Sequence, residues 1–488
     1  MNLTKITLTK NQLTKSVYYR ENKMFIGRER ELQVLNETYE KDGFQMTVIY
    51  GRRRIGKSKL ITEFIKGKKA SYYVASKTSL DDNIGKWGQQ FIEDIYPDME
   101  GIEFSDINNF FKFVGNSCKH EKIILALDEI PYIAEADDSF LSLLQVAIDT
   151  ILSKKNIYLI ICGSAVSFME REILNEKSPV FGRRSNQIFL KPFNYIDSAK
   201  FVSQYSHEEK AIVYGLTGGV AKYLTLFDDN LTLDENIINN YFKPSGYLYE
   251  EPMNLLSQEF STVNKYNEII EVCANGANKL NEISTKTHMS TSALTYNVGN
   301  LITIGVLSKV TAITDEKNKK KTRYEITDGM YRFWYQFITK AKAAIEMDKG
   351  EVYYKKYVKP KLHDYMGEIF EYMCRYYILE KGLSGEIKCM VTNVGKWWGN
   401  DHRNCPTDID VVGIDNTANT ALIGECKFKN DPIDKSVYDS LMAKKGLLSG
   451  KYTEVQLALF SLSGFSKWVM ENANEESVIL ITLEDMYY

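Results

Sequence analysis

The chain has 488 residues, enough for about three domains that each bury their own core. Its 44% hydrophobic and 26% charged residues are those of an ordinary globular chain. A net charge of −3 excludes polyanion binding by bulk charge, so any nucleic-acid surface must be local.

The seven cysteines (Cys118, Cys162, Cys273, Cys374, Cys389, Cys405, Cys426) are scattered, with no Cys-x-x-Cys pair. That spacing suggests neither a zinc site nor a disulfide framework. No apolar run approaches a membrane span and no signal-peptide pattern opens the chain. A cytoplasmic location with reduced thiols and no membrane partner is expected.

Residues 1–23 form a basic extension in which Lys5, Lys10, Lys15 and Arg20 precede any acid. Phe25-Ile26-Gly27-Arg28-Glu29-Arg30-Glu31-Leu32 then starts a helix. An apolar strand, Thr47 to Tyr50, runs into Gly51-x-x-x-x-Gly56-Lys57-Ser58, and a helix should follow from Lys59. This is a P-loop. Gly51 and Gly56 let backbone amides close around phosphate oxygens, and the helix N-terminus adds partial positive charge. Lys57 reaches the β and γ phosphates of ATP, and Ser58 holds Mg²⁺.

Ile123 to Leu127 reads as a buried strand ending in Asp128-Glu129. Asp128 fits the Mg²⁺-side carboxylate and Glu129 the base that orients an attacking water. Asn156 to Cys162 is another buried strand, ending at Gly163-Ser164. Ser164 is either a γ-phosphate neighbour or a plain strand-end turn. Strands and helices alternate to about residue 190, which implies an α/β core over 24–190 with a parallel sheet covered on both faces.

Residues 191–260 look helical, broken by Gly215-Leu216-Thr217-Gly218-Gly219, and would form a lid on the nucleotide domain. Residues 261–340 read helix, helix, helix, hairpin, with Lys317-Asn318-Lys319-Lys320-Lys321 in the hairpin loop. That is the layout of a winged helix with lysines in the wing. It serves either as a DNA reader, with wing lysines on phosphates, or as a protein-contact module. Its second helix offers only Tyr296, Asn297 and Asn300 as base-reading side chains.

Within the last domain, 341–488, residues 366–427 hold a second set of acids. Glu368 and Glu371 lie on an amphipathic helix that should end near Leu379. Pro406 to Ile414 and Ala421 to Phe428 read as strands joined by a turn at Asp415 to Asn419. Alternation puts Asp408 and Asp410 on one side of the first strand, and Glu425 and Lys427 on one side of the second. Paired antiparallel, Asp410, Glu425 and Lys427 converge. Such carboxylates suit Mg²⁺ or Mn²⁺, with Glu371 completing the shell from the helix. A lysine beside them can orient a water and stabilise charge on a phosphate. The bland reading is a hairpin with solvated acids, opposed by the apolar neighbours Ile409, Val411, Val412, Leu422 and Ile423.

From Phe25 onward these motifs resemble the archaeal-type AAA-like P-loop ATPases whose C-terminal domain of unknown function is related to PD-(D/E)xK restriction endonucleases. The residues that carry the resemblance are Phe25 to Leu32, Gly51 to Ser58 and Leu127-Asp128-Glu129-Ile130-Pro131-Tyr132. Cys162-Gly163-Ser164, Ser178-Pro179-Val180-Phe181-Gly182-Arg183-Arg184 and Gly424-Glu425-Cys426-Lys427 add to it. The resemblance implies a Mg-ATP site, a helical lid, a winged helix and a nuclease-like α/β domain. It makes Ser164 a γ-phosphate sensor, and Arg183 and Arg184 candidates for an arginine finger reaching a neighbouring copy in a homo-oligomer. The chain departs from the pattern at Ala221, where a proline is common, at Asp408 for glutamate and at Phe428 for tryptophan.

The expected function is ATP hydrolysis coupled to metal-dependent cleavage of DNA, in defence or DNA processing. The alternative is a non-cutting ATP-dependent switch or DNA-binding regulator with an inactive nuclease-like domain.

Overall fold

A computed structural model describes residues 25–99, 101–104, 106–118, 121–315, 321–448, 450–474 and 477–488. The basic extension 1–23 and Lys317, Asn318, Lys319 and Lys320, expected to lie in a wing, fall outside the described residues. Contacts divide the chain into two units. The first holds the described residues up to Ile49, Lys57–Gly163 and Glu176–Ile188. The second holds Tyr50–Gly56, Ser164–Asn175 and Phe189–Tyr488. No described helix is long and apolar enough to cross a membrane.

The first unit is built on a five-stranded sheet of order β2-β3-β4-β1-β5. Its strands are β1 (Gln45–Tyr50), β2 (Ala70–Val74), β3 (Ile123–Asp128), β4 (Ile157–Gly163) and β5 (Asn186–Phe189). β3 pairs parallel with β2 and with β4. Every residue of β3 and β4 is buried, as apolar runs without alternation require when helices cover both faces. The helices are α1 (Glu29–Tyr39), α2 (Lys57–Phe64), α3 (Leu80–Ile95), α4 (Ile107–Ser117), α5 (Ile130–Ala136) and α6 (Phe140–Thr150). Trp87 of α3 packs against Phe110 and Phe111 of α4 with no exposure, which fixes that pair of helices as one layer.

The longer helices early in the second unit are α7 (His207–Thr217), α8 (Leu233–Tyr241) and α9 (Tyr247–Glu259). Capping boxes start α7 at Ser206/Glu209 and α8 at Thr232/Glu235. The break expected over Gly215 to Gly219 falls in the second half of that run. Helix α7 runs through Gly215 and stops at Gly218, whose φ of 59° ends it. Gly215 serves packing instead. A Cβ there would meet the Met366 sulfur at 2.6 Å, so the glycine admits the long C-terminal helix.

Next come α10 (Val263–Ala274), α11 (Leu280–Thr287), α12 (Thr291–Thr303) and the antiparallel hairpin β6 (Leu307–Val310) and β7 (Arg323–Ile326), followed by α13 (Gly329–Phe333). Helix α14 (Leu362–Ser384) outlasts its expected end near Leu379 by five residues, stopping at Gly385 with φ of 81°. The boundary drawn at residue 340 falls inside the helix Thr339–Glu346.

Helix α14 packs on a second five-stranded sheet of order β12-β11-β10-β9-β8. Its strands are β8 (Asn393–Asn400), β9 (Pro406–Asp415), β10 (Thr420–Lys427), β11 (Glu454–Ser461) and β12 (Val478–Thr482). β8, β9 and β10 run antiparallel, then β10, β11 and β12 run parallel. The parallel crossovers carry α15 (Lys435–Lys444) and α16 (Lys467–Ala473). Ile409, Val412, Ile423, Leu441, Leu459 and Val469 lie in the core between this sheet and those crossover helices.

Candidate functional site

The first unit places the nucleotide-side residues at the start of α2 and the end of β3. Lys57 is the first residue of α2 and is only 6% exposed. The Ser58 hydroxyl donates to Asp128 Oδ2 at 2.6 Å, and the Glu129 amide donates to Asp128 Oδ1 at 2.9 Å. A third donor was not foreseen. The Tyr72 hydroxyl reaches Asp128 Oδ2 at 2.7 Å. Its signal is topological: Tyr72 pairs with Ala126, which shares a face of β3 with Asp128. Burial, and then the negative charge of Asp128, push the Tyr72 phenol far up, so it stays a donor.

Ser58 and Asp128 are hard oxygen donors in direct contact, a set that fits Mg²⁺. That ion, when bound with ATP, would neutralise charge on the phosphate oxygens. Glu129 stands at φ of 55° between β3 and α5, a left-handed conformation uncommon for a residue with a Cβ. Asp128 holds that turn through the Glu129 amide, and Pro131 opens α5 behind it.

Arg183 closes a short turn, Phe181–Arg183, and forks onto Asp149 of α6 at 3.0 and 2.7 Å. Its remaining nitrogen donates to the Pro179 carbonyl at 2.9 Å. Arg184 lies over the Phe181 ring at 4.1 Å. An arginine finger in trans therefore has to exchange Asp149 for phosphate at Arg183, or leave a ring at Arg184.

Within the second unit, the loop Gly51 to Gly56 is tied down by its three arginines. Arg52 pairs with Asp328, whose side chain is fully buried. Arg53 pairs with Glu259 and Arg54 with Glu251, both at 3.0 Å and both on α9. Burial works against the Arg52 charge, yet the facing Asp328 more than offsets it and raises its pKa. Asp328 also caps α13 by accepting the Tyr331 amide at 3.0 Å. Gly51 has no room for a Cβ, which would sit 2.4 Å from the Leu190 carbonyl oxygen. Gly56 takes φ of 95°. Ser164 follows β4 directly and is 3% exposed.

The C-terminal acids meet at the paired ends of β9 and β10. Regular pairing stops at Gly424↔Val411. Beyond it the Cys426 amide donates to Asp410 Oδ2 at 3.0 Å. Between β8 and β9, Gly395 pairs with Val412 but Trp397 pairs with Ile409. β9 therefore holds one extra residue at Asp410-Val411 opposite Lys396, a β-bulge that bends the strand and re-aims its side chain. Alternation alone does not reveal that bulge. Asp408, farther along β9, is exposed.

Glu425 is clamped by two ammoniums. Lys427 lies 2.8 Å from Oε1 and Lys444, the last residue of α15, lies 2.7 Å from Oε2. Glu371 on α14 lies 2.9 Å from Lys396 and 3.4 Å from Arg375, and Arg375 also donates to the Asp410 carbonyl at 2.8 Å. Burial, then the charges of Glu425 and Glu371, push the Asp410 carboxyl up to about 7. Glu425 goes the other way. Burial opposes its charge, but Lys427 and Lys444 hold it below the usual carboxylate range.

Asp410 and Glu425 are the hard donors a Mg²⁺ or Mn²⁺ takes, but both Glu425 oxygens already carry a lysine. A cation has to displace an ammonium to bind there. Among the described residues, no three His, Cys, Asp or Glu side chains converge as a cation-binding group. Lys444, Lys396 and Arg375 carry no sequence signal, because solvated basic residues are common on helices and strand edges.

A family model described as an ATPase domain predominantly from Archaea matches residues 25–227. A second, described as archaea-bacterial proteins of unknown function, matches residues 334–440. An uncharacterized protein of Methanocaldococcus jannaschii is 30% identical over 427 residues, spanning 87% of this chain and 92% of its own. An uncharacterized ATP-binding protein of the same organism is 39% identical over 46 residues, 9% of this chain and 78% of its own. Among solved structures, a Walker-type ATPase of Pyrococcus abyssi aligns at 18% identity and TM-score 0.49, covering 64% of this chain and 96% of that one. The ORC2 protein of Aeropyrum pernix aligns at 12% identity and TM-score 0.46, covering 67% and 97%.

Proposed function

This chain belongs to a family of predominantly archaeal P-loop ATPases, and from that premise we propose that its ATP hydrolysis is coupled to metal-dependent nucleic-acid cleavage. One observation carries the cleavage half: the bulged strand brings Asp410 beside Glu425 and Lys427. In this reading Lys57 and Ser58 hold the Mg-nucleotide, Asp128 orients Ser58, and Glu129 positions the attacking water. Ser164 senses the γ-phosphate. Arg183 or Arg184 serves a neighbouring copy in a homo-oligomer. Residues 191–260 act as a lid, and residues 261–340 act as a winged helix that engages duplex DNA. Asp410 and Glu425 hold Mg²⁺ or Mn²⁺, Glu371 supports them from α14, and Lys427 stabilises charge on the scissile phosphate. The setting of this reading is defence or DNA processing.

The second reading is a non-cutting, ATP-dependent switch. It is favoured by the lysine on each Glu425 oxygen and by Glu371 being paired with Lys396. Incubating the full chain with supercoiled plasmid and linear DNA, with Mg²⁺ or Mn²⁺ and with or without ATP, separates the two. Cleavage lost in Asp410→Ala supports the first. No cleavage of DNA or RNA under any condition leaves the switch.

A further inference from the structure

A polar concavity takes in the start of β9, Pro406 to Asp408. Its volume is about 410 Å³, with Lys279, Lys321 and Arg323 on one side and Trp398, Asn400 and Asp408 on the other. Lys321 and Arg323 belong to the hairpin arm that leads into β7, while Trp398 and Asp408 are an opposed pair on β8 and β9. The two sides are fastened together. The Ile313 amide donates to the Lys396 carbonyl at 2.9 Å, and Lys396 Nζ lies 3.7 Å from Glu325.

Three cations here face one carboxylate, Asp408. Lys279 bridges Glu282 at 3.4 Å and Lys321 bridges Asp315 at 3.1 Å, with the lysine side chains 53% and 36% exposed. Bridges so open to water are worth little, so both ammoniums can exchange a carboxylate for a phosphate. Arg323 is held differently. Its guanidinium lies over the Trp398 ring at 4.3 Å, and its buried Nε has no hydrogen-bond partner among the described residues. The ring fixes a flat guanidinium on the groove wall, a fork that suits a phosphodiester. Because Arg323 covers the ring, Trp398 is not a stacking platform for bases. What the groove can hold is backbone, independent of sequence. Asp408 precedes Asp410 by two residues on β9, roughly 7 Å along the strand.

We propose that this groove binds the phosphodiester backbone of a nucleic-acid strand and leads it past Asp410 and Glu425. The delivery rests on the cleavage reading above, whereas the binding does not.

The test is fluorescence anisotropy of a labelled single-stranded thymidine oligomer with the full chain, in EDTA without nucleotide, over a salt series. The double variant Lys279→Glu/Lys321→Glu alters exposed side chains, so its fold and ATP hydrolysis should match wild type. Its affinity should fall by about tenfold or more, and the salt slope should become shallower by about 1.4 for two single-strand phosphate contacts. Asp408→Asn should tighten binding a few-fold. Unchanged affinity in the double variant overturns the groove. So does equal competition by a polyglutamate of matched charge, which would mark an acidic-peptide site instead. If binding falls as expected while wild type cuts nothing with Mg²⁺ or Mn²⁺, the groove stands and the cleavage reading fails. If wild type cuts and the double variant cuts and binds equally well, the groove alone fails.

Discussion

Asp328→Asn tests whether the nucleotide loop is held by a buried ion pair. Asp328 has a fully buried side chain, faces Arg52, and caps α13 through the Tyr331 amide. Asparagine caps a helix as well as aspartate does, so this change keeps the cap and removes only the charge. Arg52 is then left 13% exposed without its counter-ion. Breaking one side of a buried pair costs about 3–5 kcal/mol, and the asparagine carbonyl, still an acceptor, returns about 1 kcal/mol of it. A net loss near 3 kcal/mol, with a urea slope of about 3 kcal/mol per molar, lowers the midpoint by about 1 M. Asp328→Ala should lose about 1 kcal/mol more as the cap goes. The double variant Arg52→Met/Asp328→Leu should recover most of the loss, because neither charge is then buried. Tryptophan fluorescence in urea reads all of these. An Asp328→Asn midpoint within about 0.2 M of wild type, or a double variant no more stable than Asp328→Asn, refutes the reasoning.

Tyr72→Phe removes one of the donors on Asp128 and should lower kcat for ATP about two- to tenfold with little change in stability, an H-bond to a charged group being worth about 1.5–3 kcal/mol at most. Steady-state ATPase assays decide it, and an unchanged kcat makes the contact structural. Glu129→Gln should still bind ATP but hydrolyse it at least about a hundredfold more slowly, as loss of a general base does; equal turnover would displace Glu129 from that role. Lys444→Met removes the ammonium from Glu425 Oε2 and should tighten Mn²⁺ binding several-fold in titration calorimetry; weaker binding would make Lys444 a support of the cation site instead of its competitor. Asp410 has a raised native pKa, so its protonated form is the favoured one in the fold. The stability it contributes is full below the ordinary carboxylate value of about 4 and is lost as pH rises through about 7. Asp410→Asn should therefore gain stability over wild type across that window in urea titrations, and a pH-independent difference would show that the shift is absent.

The nucleotide half of this protein was legible because its chemistry is local in sequence. Gly51, Gly56, Lys57 and Ser58 form one loop and helix start, and backbone geometry dictates which residue types fit there. The apolar runs of β3 and β4 were equally plain, since strands covered on both faces need no alternation. A two-residue period and a short turn put Asp410, Glu425 and Lys427 on neighbouring strands, though not the bulge at Asp410-Val411 that re-aims the first of them. Each of these is set within about twenty residues of chain.

What the sequence could not show was which distant side chains complete those motifs. Arg52, Arg53 and Arg54 look like an undifferentiated basic run, yet they reach Asp328, Glu259 and Glu251 roughly two hundred or more positions away. Tyr72 became a partner of Asp128 only when β2 took its place beside β3. Lys444 became a ligand of Glu425 when the crossover helix α15 returned its last residue to the sheet. Gly215, in a run that the sequence marks only as a break, is the point where α14 packs. The division has a physical reason. Turn geometry, periodicity and phosphate-loop chemistry are short-range and written in consecutive residues. Charge pairing and close helix approach depend on where the sheets and helices bring remote segments together, and the same lysine or arginine is a solvated surface group or a buried counter-ion according to that alone.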